Sequence, residues 1–158
     1  MNKITPFLWF NDNAEEAMNF YVSVFKNSEV LGVVRRGEAE PGAEGSVVTT
    51  SFRLDGQEFV GLNGGPQFTF TEAISFMIDC ASQDEVDYFW ETLSDGGETS
   101  QCGWLKDKFG LTWQVVPTVL VELLQDEDPA KANRVMQAML GMTKIDIVQL
   151  KEAYASGS

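Results

Sequence analysis

The first hydrophobic segment of the chain predicts a strand followed by a helix. Residues 4–10 form an apolar, aromatic run, and Pro6 near its start is typical of an edge strand or a strand entry. Asn13 and Glu16 then stand at the spacing of a helix N-cap and the acidic residue of a capping box. Apolar residues recur at helical spacing over residues 17–25, which predicts a helix of about three turns.

The same pattern returns 69 positions later (82 − 13). A strand is predicted over residues 73–79, a second capping box at Ser82 and Glu85, and an amphipathic helix over residues 86–93. The matched positions are Phe7 with Phe76, Asn13 with Ser82, Glu16 with Glu85, Phe20-Tyr21 with Phe89-Trp90, and Val24 with Leu93. Because these matches stay in register across strand, cap and helix, the sequence predicts an internal duplication.

Three further strands are predicted in each half of the chain, and each half therefore has the order β-α-β-β-β. The predicted strands cover residues 29–36, 47–54 and 57–63 in the first half, and 98–100, 102–106 and 111–116 in the second. Asp55-Gly56 predicts a two-residue hairpin turn, and Pro117 ends the last strand. We expect a linker at residues 64–72 and a mobile loop at residues 37–45.

The C-terminal part of the pattern is helical. Asp128-Pro129 predicts the start of a helix that ends at Gly141, residues 145–154 predict a second one, and the terminal Ser-Gly-Ser is expected to be disordered. We therefore expect an α+β protein with one domain over residues 1–127, built from modules at about 1–65 and 72–120. Residues 128–155 form a helical extension, packed on that domain or on a dimer partner.

Composition narrows the chemistry that the chain can perform. The 158 residues include 24 acidic and 11 basic residues, a net charge of −13, and no histidine. The absence of histidine excludes Ser-His-Asp and Cys-His relays and any His-ligated metal. The acidic excess argues against a nucleic-acid partner. It favours solubility, with steering of a cationic ligand as the alternative.

The cysteines and the apolar segments indicate a cytoplasmic protein without a membrane partner. Cys80 and Cys102 form no CxxC pair, so we expect two reduced thiols rather than a disulfide or zinc scaffold. The N-terminal residues contain no long apolar run typical of a signal peptide. The longest uncharged apolar stretch, residues 111–121, is too short to span a bilayer.

Several motifs on this duplicated framework resemble the vicinal-oxygen-chelate superfamily, which includes glyoxalase and bleomycin-resistance proteins. TPFLWFNDNAEEA at residues 5–17, LNGGP at 62–66, GWLKDKFG at 103–110 and WQVVP at 113–117 are similar to its PhnB-like subfamily. Members of that subfamily are often labelled 3-demethylubiquinone-9 3-methyltransferase. The resemblance covers about residues 3–150. It implies a cupped, eight-stranded mixed sheet around a cavity, and a homodimer.

The resemblance also places the superfamily's metal-ligand positions on this chain. They fall near Pro6, residues 60–62, residues 73–75 and Gln114. Among these side chains, Gln114 alone supplies a carbonyl oxygen that could bind a metal ion, and that oxygen is neutral. A catalytic metal requires about three protein ligands with strong donors, so we expect neither a metal nor another cofactor. The glycine-rich residues 61–65 follow a hairpin strand and precede a proline, which favours a turn over a methyl-donor loop.

What remains is a cavity for a small, partly apolar molecule. The candidate pocket-lining residues are Leu8, Phe10, Asn63, Phe76, Trp104 and Gln114. Alternation puts Leu8 and Phe10 on one strand face and Phe7 and Trp9 on the other, and leaves open which face is inward. No catalytic residue is assigned, because Cys102 lacks a histidine to activate it and ordinary packing explains it better.

Three functions are compatible with this site. The first is a small-molecule-binding protein related to bleomycin-resistance proteins, without their metal site and with an unknown ligand. The alternative is a metal-independent enzyme, an isomerase or transferase, acting on a small aromatic or oxygenated substrate. The third is an interaction domain whose cavity is vestigial. Whether the protein is an enzyme stays open at this point.

Overall fold

The computed structural model describes residues 3–37 and 44–156. Most of the loop expected at residues 37–45 and the last two residues of the C-terminal Ser-Gly-Ser lie outside these described residues. The chain divides into two compact units, Met1–Phe70 and Thr71–Ser158. Each unit contains one sheet, and each is described by itself below.

Each unit follows the predicted β-α-β-β-β order. The first contains β1 (Phe7–Phe10), α1 (Ala14–Val24), β2 (Glu29–Arg35), β3 (Val47–Leu54) and β4 (Gln57–Asn63). The second contains β5 (Phe76–Cys80), α2 (Gln83–Ser94), β6 (Glu98–Thr99), β7 (Trp104–Lys106), β8 (Thr112–Pro117), α3 (Thr118–Leu124), α4 (Pro129–Leu140) and α5 (Ile147–Ala155). Both first strands begin later than the sequence predicted, at Phe7 and Phe76. Before β1, Pro6 accepts a hydrogen bond from Val60 N but has no N–H to donate in return.

The two sheets have the same topology, as expected for a duplication. Their strand orders are β1-β4-β3-β2 and β5-β8-β7-β6, with a parallel β1–β4 or β5–β8 pair and antiparallel pairs elsewhere. The first strands begin at Phe7 and Phe76 and the helices at Ala14 and Gln83, so both offsets equal 69 residues (76 − 7 and 83 − 14). Two four-stranded mixed sheets with five helices confirm the predicted α+β class.

The core of the first unit lies between α1 and one face of its sheet. Tyr21 of α1 is fully buried and its ring lies 6.2 Å from that of Phe52, which in turn stacks on Phe59 at 5.6 Å. A side chain added at Gly61 would meet Thr50 Oγ1 at 2.7 Å and the Phe10 ring at 3.3 Å, so the packing of these side chains on the same sheet face favours glycine there. Leu8 and Phe10 therefore belong to the helix-covered face of this sheet.

The two predicted capping boxes differ in the structure. At α2, Glu85 N donates to Ser82 Oγ at 3.2 Å, and Ala81 N donates to Glu85 Oε2 at 2.9 Å. At α1, Asn13 is the N-cap residue by position, but its side chain makes no cap hydrogen bond. Instead, Ala14 N donates to Oδ1 of Asn63 at 2.8 Å. The cap is supplied from β4 because the β1–β4 register places Asn63 beside Phe10.

The C-terminal helices pack on the second unit through a separate apolar cluster. Its buried members are Val116, Leu120, Val135, Met142, Ile145 and Leu150. Gln83 of α2 links this region to the sheet unit, because its Nε2 donates to Ile145 O and its Oε1 accepts from Ile147 N. Helix α3 was not predicted. Pro117 ends β8 as expected, but it is also the residue from which α3 begins.

Within the residues that the structure describes, no helix is both long and apolar enough to cross a membrane.

Candidate functional site

The two predicted pocket residues of β1 lie on the face of the first sheet that α1 covers. Leu8 and Phe10 are buried on the side that α1 covers, whereas Phe7 is exposed on the opposite side and Trp9 is half-buried there. Trp9 is held by its indole N–H, which donates to Gly65 O at 2.9 Å. The structure thus shows which face of the sheet α1 covers, and the pocket-lining role of Leu8 and Phe10 stays a prediction. Leu8 and Phe10 pack against the helix, and the aromatic side chains of the other face are Phe7 and Trp9.

Asn63 is engaged at both ends of its amide. Its Oδ1 accepts from Ala14 N, and its Nδ2 donates to Val47 O at 3.2 Å. These two bonds tie the end of β4 to the start of α1 and to β3. The described contacts of Asn63 are those of a residue that positions secondary structure, and its role as a pocket residue stays a prediction.

In the second sheet, the register brings two predicted residues together. Trp104 of β7 pairs with Gln114 of β8, and Gln114 in turn lies beside Met77 of β5. Partners directly across a ladder have side chains on the same face. Phe76 alternates with Met77 and lies on the other face, where its ring contacts Trp113 at 5.7 Å. Trp104 and Gln114 are therefore neighbours, and Phe76 is not part of their row.

We call the side of the second sheet that carries this row the Gln114 face. It is defined by Ser75, Met77, Trp104, Lys106, Thr112 and Gln114. The opposite face contains Leu105, Trp113 and Val115, each no more than 3% exposed. Trp104 and Gln114 are half-buried and Met77 is exposed, so the Gln114 face offers surface to a ligand where the opposite face does not.

Polar groups lie at fixed places on the Gln114 face. Gln114 Nε2 donates to Ser75 Oγ at 2.9 Å. Lys106 pairs with Thr112 across the β7–β8 ladder, and its ammonium forms an ion pair with Glu72. That hydrogen bond and the opposite charge raise the pKa of Lys106 and lower the pKa of Glu72. Thr112 is buried, and among the described residues its Oγ1 has no hydrogen-bond partner.

The β7–β8 turn that carries this face is fixed by a buried carboxylate. Asp107 is 2% exposed. Its Oδ1 accepts from Phe109 N at 2.9 Å and Leu111 N at 3.0 Å, and its Oδ2 accepts from Trp113 Nε1 at 2.8 Å. Three N–H donors compensate for the desolvation of the charge. Asp107 thereby sets the register in which Lys106 faces Thr112.

The two cysteines do not form a reactive centre. Cys80 is buried, and desolvation, followed by the nearby charges of Glu85 and Asp79, raises the pKa of its thiol to about 12. A thiol with such a pKa is a poor nucleophile at neutral pH. Cys102 lies in a turn with φ 59°, and its backbone N–H donates to Met142 O. The buried Cys80 agrees with the expected packing role. The strand packing expected for Cys102 is wrong, because β7 begins only at Trp104 and Cys102 lies in the turn before it.

The structure describes the side chains around the expected metal positions and the glycine-rich segment. Among the described residues, no group of three His, Cys, Asp or Glu side chains could hold a metal ion. In the glycine-rich segment, a side chain at Gly64 would meet the Trp9 ring at 2.4 Å. The N–H groups of Gly64 and Gly65 already donate to Phe10 O and Asn11 O. Gly64 and Gly65 thus form a turn closed on Trp9, with both of their N–H groups engaged in backbone hydrogen bonds.

Two βαβββ units with one strand order define a duplicated α+β fold, and the comparisons with known proteins identify its family. The family described as 3-demethylubiquinone-9 3-methyltransferase matches residues 2–116. A PhnB protein from Bacillus cereus is 39% identical, with 74% of this chain and 100% of that chain covered and a TM-score of 0.69. The chain therefore belongs to this PhnB-like family, which confirms the resemblance seen in the sequence.

More distant structures share the fold alone. Protein PA1353 from Pseudomonas aeruginosa is 18% identical over 74% of this chain and 98% of that chain, with a TM-score of 0.63. The fosfomycin resistance protein FosX from Listeria monocytogenes, solved with Mn(II) and sulfate, is 14% identical over 73% of this chain and 89% of that chain, with a TM-score of 0.51. Among curated proteins, none matches the chain by sequence.

Sequence reasoning missed four members of the Gln114 face: Ser75, Met77, Lys106 and Thr112. A signal for two of them was present, because Lys106 follows Trp104 by two residues and Thr112 precedes Gln114 by two. Residues two apart in a strand share a face, so the choice of Trp104 and Gln114 already implied these neighbours. Ser75 and Met77 required the parallel β5–β8 register, which alternation alone does not provide.

Proposed function

We propose that this protein binds a small, partly apolar molecule on the Gln114 face and does so without a bound metal. The observation that carries the proposal is the row Trp104–Gln114–Met77, which combines an aromatic surface, one carboxamide and an exposed thioether on a single sheet face. Ligand sites in proteins are mostly apolar with a few placed polar groups. Methionine and tryptophan supply contact area, and the carboxamide supplies orientation.

The donor chemistry of this face supports metal independence. Two of the superfamily's ligand positions fall near residues 73–75 and at Gln114, and within this set Gln114 is hydrogen-bonded to Ser75. A hydroxyl and a carboxamide are neutral, weak donors to a divalent transition metal. The remaining positions fall at Pro6 and residues 60–62, which are proline, valine, glycine and leucine. These residues do not fit a metal of the kind bound by FosX, so we assign no step to one.

A thermal-shift screen tests the binding proposal. The panel contains bleomycin-type cationic glycopeptides, chosen because the charge is −13, together with neutral and anionic aromatic compounds. A ligand that binds the native state must raise its unfolding temperature. We expect Trp104→Ala to abolish the shift and Tyr88→Ala, an equally aromatic but exposed position on α2, to leave it unchanged. Equal shifts in both variants would place the ligand elsewhere.

Two measurements separate binding from catalysis and from metal dependence. Mass spectrometry of the bound ligand after incubation detects any chemical change, and turnover would favour the metal-independent isomerase or transferase. Elemental analysis of purified protein checks the metal proposal directly. A stoichiometric transition metal that survives dialysis would overturn metal independence while leaving ligand binding intact.

We also propose a homodimer located in the cytoplasm. The edge strand β1, and the residues just before β1 and β5, expose Ile4, Phe7 and Ile74, each more than half exposed. Exposed apolar side chains on sheet edges are typical of association surfaces. Two free cysteines are typical of a reducing compartment. Light scattering after size exclusion should give twice 17.5 kDa, and a monomer mass would contradict the dimer.

A further inference from the structure

The Gln114 face contains a buried hydroxyl whose hydrogen-bonding capacity is unused. Thr112 is 2% exposed, and its Oγ1 has no hydrogen-bond partner within residues 3–37 and 44–156. Lys106 stands directly opposite it across the β7–β8 ladder, and Gln114 follows it by two residues on the same face. Side chains at directly opposed positions begin about 4.5–5.5 Å apart at Cβ. Thr112 is the shortest of these three side chains, and it shares its sheet face with the two longer ones.

Lys106 shows what kind of group this position accepts. Its ammonium is paired with the carboxylate of Glu72, an exposed residue that precedes β5. The ammonium of Lys106 is thus paired with a carboxylate of the chain itself. That carboxylate belongs to a residue outside the strand ladder. An ammonium and a hydroxyl can both donate to the two oxygens of one anionic group, and charge-assisted hydrogen bonds of this kind are the strong ones.

We propose that Lys106 and Thr112 form the subsite for an oxyanion of the ligand, a carboxylate or a phosphonate, which replaces Glu72. The aromatic or apolar body of the same ligand lies on Trp104 and Met77. This inference rests on the proposed function and specifies its ligand class. The chain charge of −13 repels anions at long range, but salt screens that field beyond about 8 Å. The local ammonium therefore decides binding at the site.

The test uses matched probes and isothermal titration. Benzoate and phenylphosphonate carry an aromatic ring and an oxyanion, benzamide is the neutral counterpart of benzoate, and inorganic phosphate lacks the ring. At about 10 mM, a probe saturates even a millimolar site. We expect one of the two aromatic anions to bind at least about tenfold more tightly than benzamide and phosphate, the scale of one hydrogen bond to a charged group. Which anion binds more tightly distinguishes a carboxylate from a phosphonate ligand.

Four substitutions test this subsite: two should weaken anion binding, one should tighten it, and one is a control. Lys106→Gln and Thr112→Val should each weaken anion binding by about ten- to a hundredfold, because each removes one donor to the oxyanion. Glu72→Gln should tighten it, because the competing carboxylate is gone. Lys108→Gln, which removes a neighbouring charge from the turn, is the control and should change little, since Lys108 lies against Phe109 instead.

The possible failures are distinguishable. Equal affinity for benzamide and benzoate would overturn the oxyanion subsite while leaving small-molecule binding intact. Phosphate binding as tightly as phenylphosphonate would show a bare anion site and remove the role of Trp104. Absence of binding by both aromatic anions, or unchanged affinity in Thr112→Val, would also overturn the inference. If no compound in the thermal-shift screen raises the unfolding temperature, the proposed function itself is contradicted.

Discussion

Replacing Thr112 by valine should stabilise the protein, although the residue lies in a sheet core. Valine has the same shape, and both residues are β-branched, so strand propensity changes little. The substitution removes a buried hydroxyl that has no partner. Burying a hydroxyl without a hydrogen bond costs about 1–3 kcal/mol in mutational data. We therefore expect the free energy of unfolding to rise by about 1–3 kcal/mol.

The gain is large enough to measure by calorimetry or by urea titration. For a chain of this size, 1 kcal/mol shifts the melting temperature by about 2–4 °C, so Thr112→Val should melt about 2–12 °C higher. The matched control is Thr50→Val, because Thr50 is equally buried but its Oγ1 donates to Gly61 O at 3.5 Å. That variant should lose up to about 1 kcal/mol.

The reasoning fails if Thr112→Val destabilises the protein by about 1 kcal/mol or more. Such a loss would mean that the hydroxyl has a partner in solution and holds no unused donor. A gain in stability together with lost anion affinity would show instead that the chain retains a costly hydroxyl for its ligand. Stability and binding would then change in opposite directions at one residue, as expected of a functional site.

Three further predictions follow from individual hydrogen bonds and one pKa. Asp107→Asn should cost about 2–4 kcal/mol in a urea titration, because a carboxamide cannot serve three N–H donors as the buried carboxylate does; a loss below 1 kcal/mol (roughly one neutral hydrogen bond) would contradict this. Asn63→Ala should cost about 1 kcal/mol and Asn13→Ala almost nothing, since the side chain of Asn63 caps α1; the reverse order would restore the capping box at Asn13. With its pKa raised to about 12, Cys80 should resist iodoacetamide in the native protein at pH 8, and Cys102 should react first, as read by peptide mass spectrometry. Because the unfolded thiol ionises at lower pH, the contribution of Cys80 to stability is complete below about pH 9 and decreases as pH rises toward 12.

Much of the fold was readable because local patterns and tertiary contacts agree. The 69-residue offset, the helix starts at Ala14 and Gln83, and the capping box at Ser82 all follow from spacing, and the structure confirms them. The cap of α1 does not follow from spacing, because its donor partner Asn63 lies 49 residues away along the chain. Helix α3 escaped prediction because its seven residues directly follow Pro117, which already explained the end of β8.

The site was predictable only in part, since alternation sorts residues into two faces without saying which face a helix covers. The stacking of Tyr21 on Phe52 decides this for the first sheet and puts Leu8 and Phe10 against α1. In the second sheet, Trp104 and Gln114 meet because the β7–β8 register pairs them. The unpartnered hydroxyl of Thr112 has no sequence signature, because satisfaction of a hydrogen bond depends on every neighbouring element.

The most direct test of the central claim is the affinity of the protein for its best ligand before and after treatment with a chelator. Isothermal titration of wild-type protein, dialysed against EDTA, should give the same dissociation constant as untreated protein, and Trp104→Ala should bind neither way. A ligand that is lost with EDTA and recovered with added Mn²⁺ would contradict metal-independent binding on the Gln114 face.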